Sequence, residues 1–199
     1  MSRRLRTSSI RTLRNAWAGL LAMLLACGAA AAADETALRQ ALRAGGHVLV
    51  VRHAIAPGVG DPDRFELGDC ATQRNLSQQG RDQARRIGQR LRTVGVSDAR
   101  VYTSRWCRAS ETANLLGLGA VSELSLLDSF FEHPARGDAQ TESLRRWLEA
   151  QDLSRPLVLV THQVNITALT GAYPESGEVV VVRRSAEGAL SQAGSLRLH

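Results

Sequence analysis

The stretch that decides the fold is His47-Val-Leu-Val-Val-Arg52-His53-Ala54, an apolar run that ends in an arginine and a histidine. A second run of the same kind, Leu157-Val-Leu-Val-Thr161-His162, also ends in a histidine. Both are short and rich in β-branched residues, so each is predicted to be a buried strand. Groups just beyond the carboxyl ends of parallel strands line the ligand crevice of an open α/β sheet. Two such strands would bring Arg52, His53 and His162 around one point, which predicts an anion site.

Strand and helix patterns alternate on both sides of these runs. The helices are predicted over residues 36–44, 77–94, from just after 104–108 to about 116, and 141–150, with a helical turn over 165–170, and the further strands over 100–103, 178–182 and 195–198. The segment 118–139 has no clear period, and the proline- and glycine-rich residues 54–74 are predicted to form a long loop over the strand end. This alternation indicates an α/β fold with a mostly parallel central sheet flanked by helices on both faces.

The net charge of +6 is concentrated at the start of the chain. Residues 1–33 hold five arginines and no acidic residue, which leaves 20 basic against 19 acidic residues in the remainder. A protein that binds a polyanion needs a basic stripe or patch. The near-neutral remainder therefore argues against nucleic acid as a partner.

The first 33 residues have the pattern of a secretory signal peptide. Their arginines precede an apolar stretch over residues 16–26 and an alanine run over 29–33, and the apolar stretch is too short to span a bilayer comfortably. We expect cleavage near Ala33, a single domain over residues 34–199, and export to the periplasm. Two alternatives stay open: lipidation of Cys27, whose preceding residues loosely resemble a lipobox and which would anchor the protein to a membrane, and a twin-arginine signal at Arg3-Arg4.

Two cysteines, Cys70 and Cys107, remain after removal of the signal. An even number of cysteines in an oxidising compartment favours a disulfide, here one that would fix the rim of the anion site. Two unpaired thiols are the alternative.

Four motifs follow one another along the chain. They are Arg52-His53-Ala54, Leu76-Ser77-Gln78-Gln79-Gly80, the run from Thr103-Ser104-Arg105-Trp106-Cys107-Arg108 to Ala113, and Thr161-His162. In this order and at these spacings they resemble the histidine phosphatase superfamily, the phosphoglycerate mutase-like group, over residues 47–182. The secretory signal and the short length are more like a small periplasmic phosphatase than a mutase.

The resemblance assigns the site to four residues. His53 would be the nucleophile that forms a phosphohistidine, since a neutral imidazole nitrogen needs no base to activate it. Arg52 and Arg108 would hold phosphate oxygens through bidentate guanidinium contacts, and a protonated His162 would add a third cationic donor. The motif spacing matches at Arg108, so Arg105 is assigned to the surface or rim. Because these arginines would repel a cation, we expect neither a metal ion at the histidines nor a cofactor.

The acid that protonates the leaving group is the least defined group. One branch of the superfamily has an aspartate after the second histidine, but Gln163 occupies that position here. The carboxylates in the other expected segment are Asp128 and Glu132. We favour Glu132, because the neighbouring Phe130 and Phe131 would provide an apolar environment that keeps its carboxyl protonated. For Ser104 and Thr161, strand closure is favoured over contact with the phosphate.

The sequence thus predicts a periplasmic, metal-independent phosphatase that hydrolyses phosphate monoesters, such as a sugar phosphate or an envelope component. The alternatives are a non-catalytic protein of the same fold that binds phosphate or a phosphorylated ligand, and a phosphomutase.

Overall fold

The computed structural model describes residues 45–197 together with Thr36, Gln40 and Leu42. Backbone contacts divide the chain into Met1–Leu38 and Arg39–His199, and the sheet and the candidate site belong to the second unit. The predicted signal segment 1–33 lies outside the described residues. Of the predicted helix over 36–44, only the three residues named above are described, and all three are helical. In the described part of the chain, no helix has both the length and the apolarity to cross a membrane.

Six strands form one sheet in the order β3-β2-β4-β1-β5-β6. Their bounds are β1 His47–Arg52, β2 Arg100–Thr103, β3 Val121–Glu123, β4 Leu157–Thr161, β5 Val179–Arg184 and β6 Leu190–Leu196. β1, β4, β2 and β3 pair in parallel, whereas β5 pairs antiparallel with both β1 and β6. The predicted α/β fold with a mostly parallel sheet is therefore confirmed.

Four helices flank the sheet: α1 Gln78–Thr93, α2 Cys107–Leu116, α3 Gly137–Glu149 and α4 Gln163–Thr170. Val48 and Val50 of β1 belong to a buried cluster with Leu148 of α3 and Ile166 of α4. Since successive strand side chains point to opposite faces, the equally buried Leu49 points to the other face, where α2 contacts β2 and β4 and packs against α1. This burial on both faces explains why β1 and β4 are continuous apolar runs rather than alternating ones.

The start of α1 is packed tightly against the 54–74 loop. Ser77 is the N-cap of α1: its side chain accepts a hydrogen bond from the Gly80 N–H at 3.0 Å, and its own N–H donates to the Ile55 carbonyl at 3.0 Å. A Cβ on Gly80 would lie 2.1 Å from that same Ile55 oxygen, so only glycine fits there. This contact fixes where the loop leaves β1.

Two segments differ from the sequence prediction. Residues 118–139 were predicted to be irregular, yet they contain β3 and two 3₁₀ turns, Ser125–Leu127 and Pro134–Arg136. β3 has only three residues and lies at the exposed edge of the sheet, so it carries no hydrophobic period. The last strand was predicted near 195–198 but covers Leu190–Leu196, because its mostly exposed residues give no apolar alternation.

Candidate active site

The two histidines come together as the strand ends predict. In the parallel register, Arg52 of β1 lies beside Thr161 of β4, so His53 and His162 are the first residues beyond neighbouring strands. The His53 N–H donates to the Thr161 carbonyl at 2.9 Å, which holds the two strand ends together. The imidazole centroids are 5.4 Å apart and both side chains are buried.

Arg108 reaches the same point from the first turn of α2. It is buried, and its Nη1 donates to the Asp61 carboxylate at 2.6 Å. Arg52 Nη1 donates to the Pro174 carbonyl at 2.9 Å. Each arginine is thus fixed through one end of its guanidinium group. Arg52, Arg108 and the two histidines all line one cleft, as the sequence predicts.

The tautomer of His53 follows from its only side-chain hydrogen bond. Its Nδ1 lies 2.8 Å from the Ala54 carbonyl oxygen, which can only accept, so Nδ1 carries the hydrogen. In the neutral imidazole the lone pair then lies on Nε2. No residue that the structure describes forms a hydrogen bond with Nε2, so this nitrogen is available to attack phosphorus.

Both imidazoles are held neutral. Burial lowers the pKa of His53 to about 3, and the positive charges of Arg108, Arg74 and Arg52 act in the same direction, opposed by the Ala54 carbonyl. Burial, reinforced by His53 and the same arginines, lowers the pKa of His162 well below its usual value. These effects disfavour a protonated His162. A bound phosphate dianion would raise its pKa by adding negative charge.

Acidification is expected to destabilise the fold through these histidines. In the unfolded chain an imidazole titrates near about pH 6.5, whereas the pKa of folded His53 is about 3. The unfolded chain then binds more protons below about pH 6.5, so the contribution of His53 to the unfolding free energy is fully present above that pH and is lost as the pH falls.

The unfolding free energy, measured with urea between about pH 7 and 4, should change with a slope approaching about 1.4 kcal/mol per pH unit for each histidine. His53→Gln should reduce the slope. An unchanged slope in His53→Gln would contradict this assignment.

Several buried nitrogens of the cleft residues have no partner. Among the described residues, four buried side-chain polar atoms lack a hydrogen bond: Arg52 Nε, Arg108 Nε, His162 Nδ1 and Asn165 Oδ1. Three of the four belong to residues that line the cleft. Buried polar groups are usually hydrogen-bonded, and exceptions call for a ligand or a functional reason. The cleft floor is therefore rich in donors and suited to an anion.

Ser104 contacts the site, contrary to the favoured view that it only closes a strand. Its Oγ lies 2.8 Å from His162 Nε2 and 3.4 Å from Asp128 Oδ1, and it accepts from the Trp106 N–H at 3.2 Å. The hydroxyl can donate its single hydrogen to only one of these two acceptors, and donation to the nearer one, His162 Nε2, would place the hydrogen of the neutral ring on Nδ1. Thr161, by contrast, donates to the Leu127 carbonyl at 2.6 Å and has the structural role expected of it.

Ser104→Ala is expected to lower kcat by about three- to tenfold with little change in KM, because the tautomer of His162 is no longer fixed. Ser104→Thr, which keeps the hydroxyl, should restore most of the rate. The ¹⁵N shifts of His162 should move toward a tautomer mixture in the alanine variant only. If Ser104→Ala has the same His162 ¹⁵N shifts as the wild type, Ser104 does not position His162.

The two candidate acids occupy different environments. Asp128 is buried and accepts from Arg105 Nη2 at 2.5 Å, Nε at 2.8 Å and N–H at 3.0 Å. Its carboxylate is thus used to anchor Arg105, which lies partly exposed at the rim. Glu132 is exposed and lines the cleft, so the apolar burial expected for it is not found. Of the two carboxyls, Glu132 is the one without an ion pair, and its role as the acid stays a prediction.

Two further charged residues of the cleft, Asp61 and Arg74, were missed by the sequence analysis. Asp61 accepts from Arg108 at 2.6 Å and from Trp106 Nε1 at 2.9 Å. Burial alone would raise the pKa of Asp61, but the hydrogen bond and charge of Arg108 outweigh it and lower the pKa. Arg74 donates to the carbonyls of Gly60 at 2.7 Å and Ala56 at 2.5 Å. Both residues hold the 54–74 loop over the strand ends.

The two cysteines lie beside this arrangement. Cys70 of the 54–74 loop and Cys107 at the start of α2 have their sulfur atoms 2.00 Å apart, at bonding distance. The Cys107 N–H also donates to the buried Gln73 side chain at 2.9 Å. These contacts connect the loop that carries Asp61 and Arg74 to the helix that carries Arg108.

The cleft has a volume of about 870 Å³ and opens between the 54–74 loop, the residues before α3 and the end of α4. Trp106 forms part of one wall, where Phe65 stacks on it with ring centroids 5.2 Å apart. In the part of the chain that the structure describes, no group of three or more His, Cys, Asp or Glu side chains is arranged to hold a metal ion.

The fold and this site define an α/β protein whose histidine- and arginine-lined anion pocket lies at the carboxyl edge of its sheet. The chain matches the branch 1 profile of the histidine phosphatase superfamily over residues 48–135. It is 34% identical over 70 residues to the mitochondrial serine/threonine-protein phosphatase Pgam5 of Drosophila grimshawi, and 33% identical to that of Drosophila virilis. Each match covers 35% of this chain and 22% of the relative, so the similarity spans about a fifth of those proteins.

Solved structures share the fold at low sequence identity. The protein histidine phosphatase SixA complexed with tungstate superposes with a TM-score of 0.57 at 16% identity, covering 75% of this chain and 96% of that one. The mycobacterial glucosyl-3-phosphoglycerate phosphatase Rv2419c gives a TM-score of 0.53 at 18% identity, covering 72% and 92%. At these identities the likeness to solved structures shows the shared fold.

Proposed function

We propose that this chain hydrolyses phosphate monoesters through a phosphohistidine on His53, without a metal ion. The observation that carries the proposal is the state of His53. Its Nδ1 is bound to the Ala54 carbonyl and its pKa is lowered to about 3, so Nε2 keeps its lone pair even in mild acid.

The reaction would proceed in two displacements. The lone pair of His53 Nε2 forms a bond to phosphorus while the bond from phosphorus to the ester oxygen breaks. The leaving alkoxide takes a proton, for which Glu132 is the candidate donor. Water then attacks phosphorus and gives a proton to the Glu132 carboxylate, which restores the acid, while the phosphorus–nitrogen bond breaks, its electron pair returns to Nε2, and inorganic phosphate is released.

Charge stabilisation would come from three donors on the cleft floor. Among the described residues, Arg52 Nε, Arg108 Nε and His162 Nδ1 are buried and have no hydrogen-bond partner. Donors that are already in place cost no reorganisation when charge develops in the transition state. Asp61 holds Arg108 from its far end and so acts as a positioning residue.

The site of action is proposed to be the periplasm. The arginine-rich, then apolar start of the chain and the pairing of Cys70 with Cys107 support export to an oxidising compartment. Fractionation of expressing cells should recover the protein after osmotic shock, in a form that begins near Asp34. Recovery only with the cytoplasmic fraction, with the first residues intact, would contradict export.

An assay of the purified protein tests the catalytic proposal. With EDTA present, it should release phosphate from p-nitrophenyl phosphate and from members of a sugar-phosphate panel, and vanadate should inhibit it. Activity that disappears with EDTA and returns with a divalent metal would overturn metal independence. Tight vanadate binding without hydrolysis of any ester would overturn the enzyme assignment in favour of a phosphate-binding protein.

A further inference from the structure

The exposed apolar residues of this chain are concentrated at the cleft. In the part of the chain that the structure describes, the large hydrophobic side chains that are exposed are Val59 (86%), Leu67 (40%), Phe131 (49%) and Tyr173 (77%). Three of these four line the cleft, and Leu67 does not. Grouped exposed apolar side chains on a soluble fold mark a binding surface more often than scattered ones do.

The three residues come from three separate segments. Val59 lies in the 54–74 loop, Phe131 precedes α3, and Tyr173 follows α4. Their exposure places them at the mouth of the cleft, whereas Arg52, His53, Arg108 and His162 are buried or half-buried at its floor. The cleft therefore has a cationic floor and a partly apolar mouth.

We propose that the preferred substrates are phosphate monoesters of an apolar alcohol or phenol, with the phosphate on the floor and the apolar group against Val59, Phe131 and Tyr173. This inference rests on the proposed phosphatase function and specifies its substrate class. An apolar ester group would remove the exposed side chains from water, which is favourable in proportion to the area buried. Glu132, His133 and Arg136 also line the cleft, so its lining is not apolar throughout.

The proposal predicts a dependence on chain length. In a series of n-alkyl phosphates from ethyl to octyl, kept below their micelle concentrations, kcat/KM should rise with each added methylene by up to about fourfold, until the chain passes the mouth. Glycerol phosphate, which carries hydroxyls on a chain of similar length to propyl phosphate, should be the poorer substrate of that pair. A flat series in an active enzyme would overturn the substrate class and leave the phosphatase function standing.

Variants at the mouth separate apolarity from shape. Val59→Thr keeps the branched shape and removes one apolar group, so kcat/KM for octyl phosphate should fall by about threefold or more, and by clearly more than kcat/KM for glycerol phosphate. The matched control is Leu67→Thr, at an exposed apolar residue outside the cleft, which should change neither rate. Equal losses on both substrates in Val59→Thr would count against the proposal.

A last variant distinguishes apolar contact from ring stacking on a sugar. Phe131→Leu keeps an apolar side chain but removes the aromatic face, so it should retain the preference for octyl phosphate. A wild-type protein that instead prefers glycosyl phosphates, and loses that preference in Phe131→Leu, would overturn the proposal. If the wild type hydrolyses none of the esters tested, the phosphatase function on which the proposal rests is refuted.

Discussion

Replacing His53 with alanine is expected to lower kcat/KM for phosphate monoesters by about 10⁴-fold or more, since the covalent route is then lost altogether. The wild-type protein, quenched during turnover of a ³²P-labelled ester, should carry label on His53 that is stable in base and labile in acid. Binding of vanadate should persist in the variant, because Arg52, Arg108 and His162 remain in place.

The matched control for this variant is His47→Gln. His47 begins the same strand, and its Nδ1 bonds only the Gly45 carbonyl, at 2.7 Å. Damage to β1 as a whole would lower both rates, whereas loss of the nucleophile affects only His53→Ala. Equal rates in wild type and His53→Ala, or label on a different residue, would exclude the mechanism.

Loss of the Cys70–Cys107 bond is expected to cost about 4 kcal/mol of unfolding free energy. The chain-entropy estimate follows from the 37-residue separation of the two cysteines, since opening a loop of this length enlarges the unfolded ensemble by about that much. Reductant should lower the unfolding free energy of the wild type, measured by urea unfolding. It should not change that of the Cys70→Ser/Cys107→Ser double variant. Phosphate affinity should weaken as well, because the freed loop carries Asp61 and Arg74.

Alkylation of the native protein checks the bond itself. The full chain has a third cysteine, Cys27, which is the one thiol expected to react without reductant. Reaction of Cys70 and Cys107 in the native protein would show that the bond is absent. A double variant as stable as the wild type would show that the bond contributes little to the fold.

The sequence was sufficient to predict the strands and groups at the sheet edge. β1 and β4 are buried on both faces, so their residues are apolar throughout, and each histidine follows directly on its strand. Arg108 was assigned through the resemblance to the family, whose motif spacing after Ser104 it matches. Each of these features depends on residues that are close together in the chain, so a sequence pattern can indicate it.

The features that were missed depend on partners far apart in the chain. Asp61 lies 47 residues before Arg108, in a loop where an aspartate between glycine and proline looks like an ordinary turn residue. Ser104 was assigned to strand closure because nothing near it in sequence indicates His162, 58 residues away. The neutral state of His162 follows from burial and from surrounding arginines, which only the assembled site reveals.

The hydrogen bond that fixes the tautomer of His53 ends on a main-chain oxygen, that of Ala54. Every amino acid at position 54 supplies this oxygen, so no missense mutation there can delete the acceptor itself. His162 relies instead on the hydroxyl of Ser104, which a single nucleotide change can remove. Random mutagenesis can therefore remove the hydrogen-bond partner of His162 through position 104, whereas at position 54 it acts only through the packing of the fully buried Ala54. In evolutionary terms, the hydrogen bond of the nucleophile is buffered against mutation, and that of its partner is where the rate of this site can be adjusted.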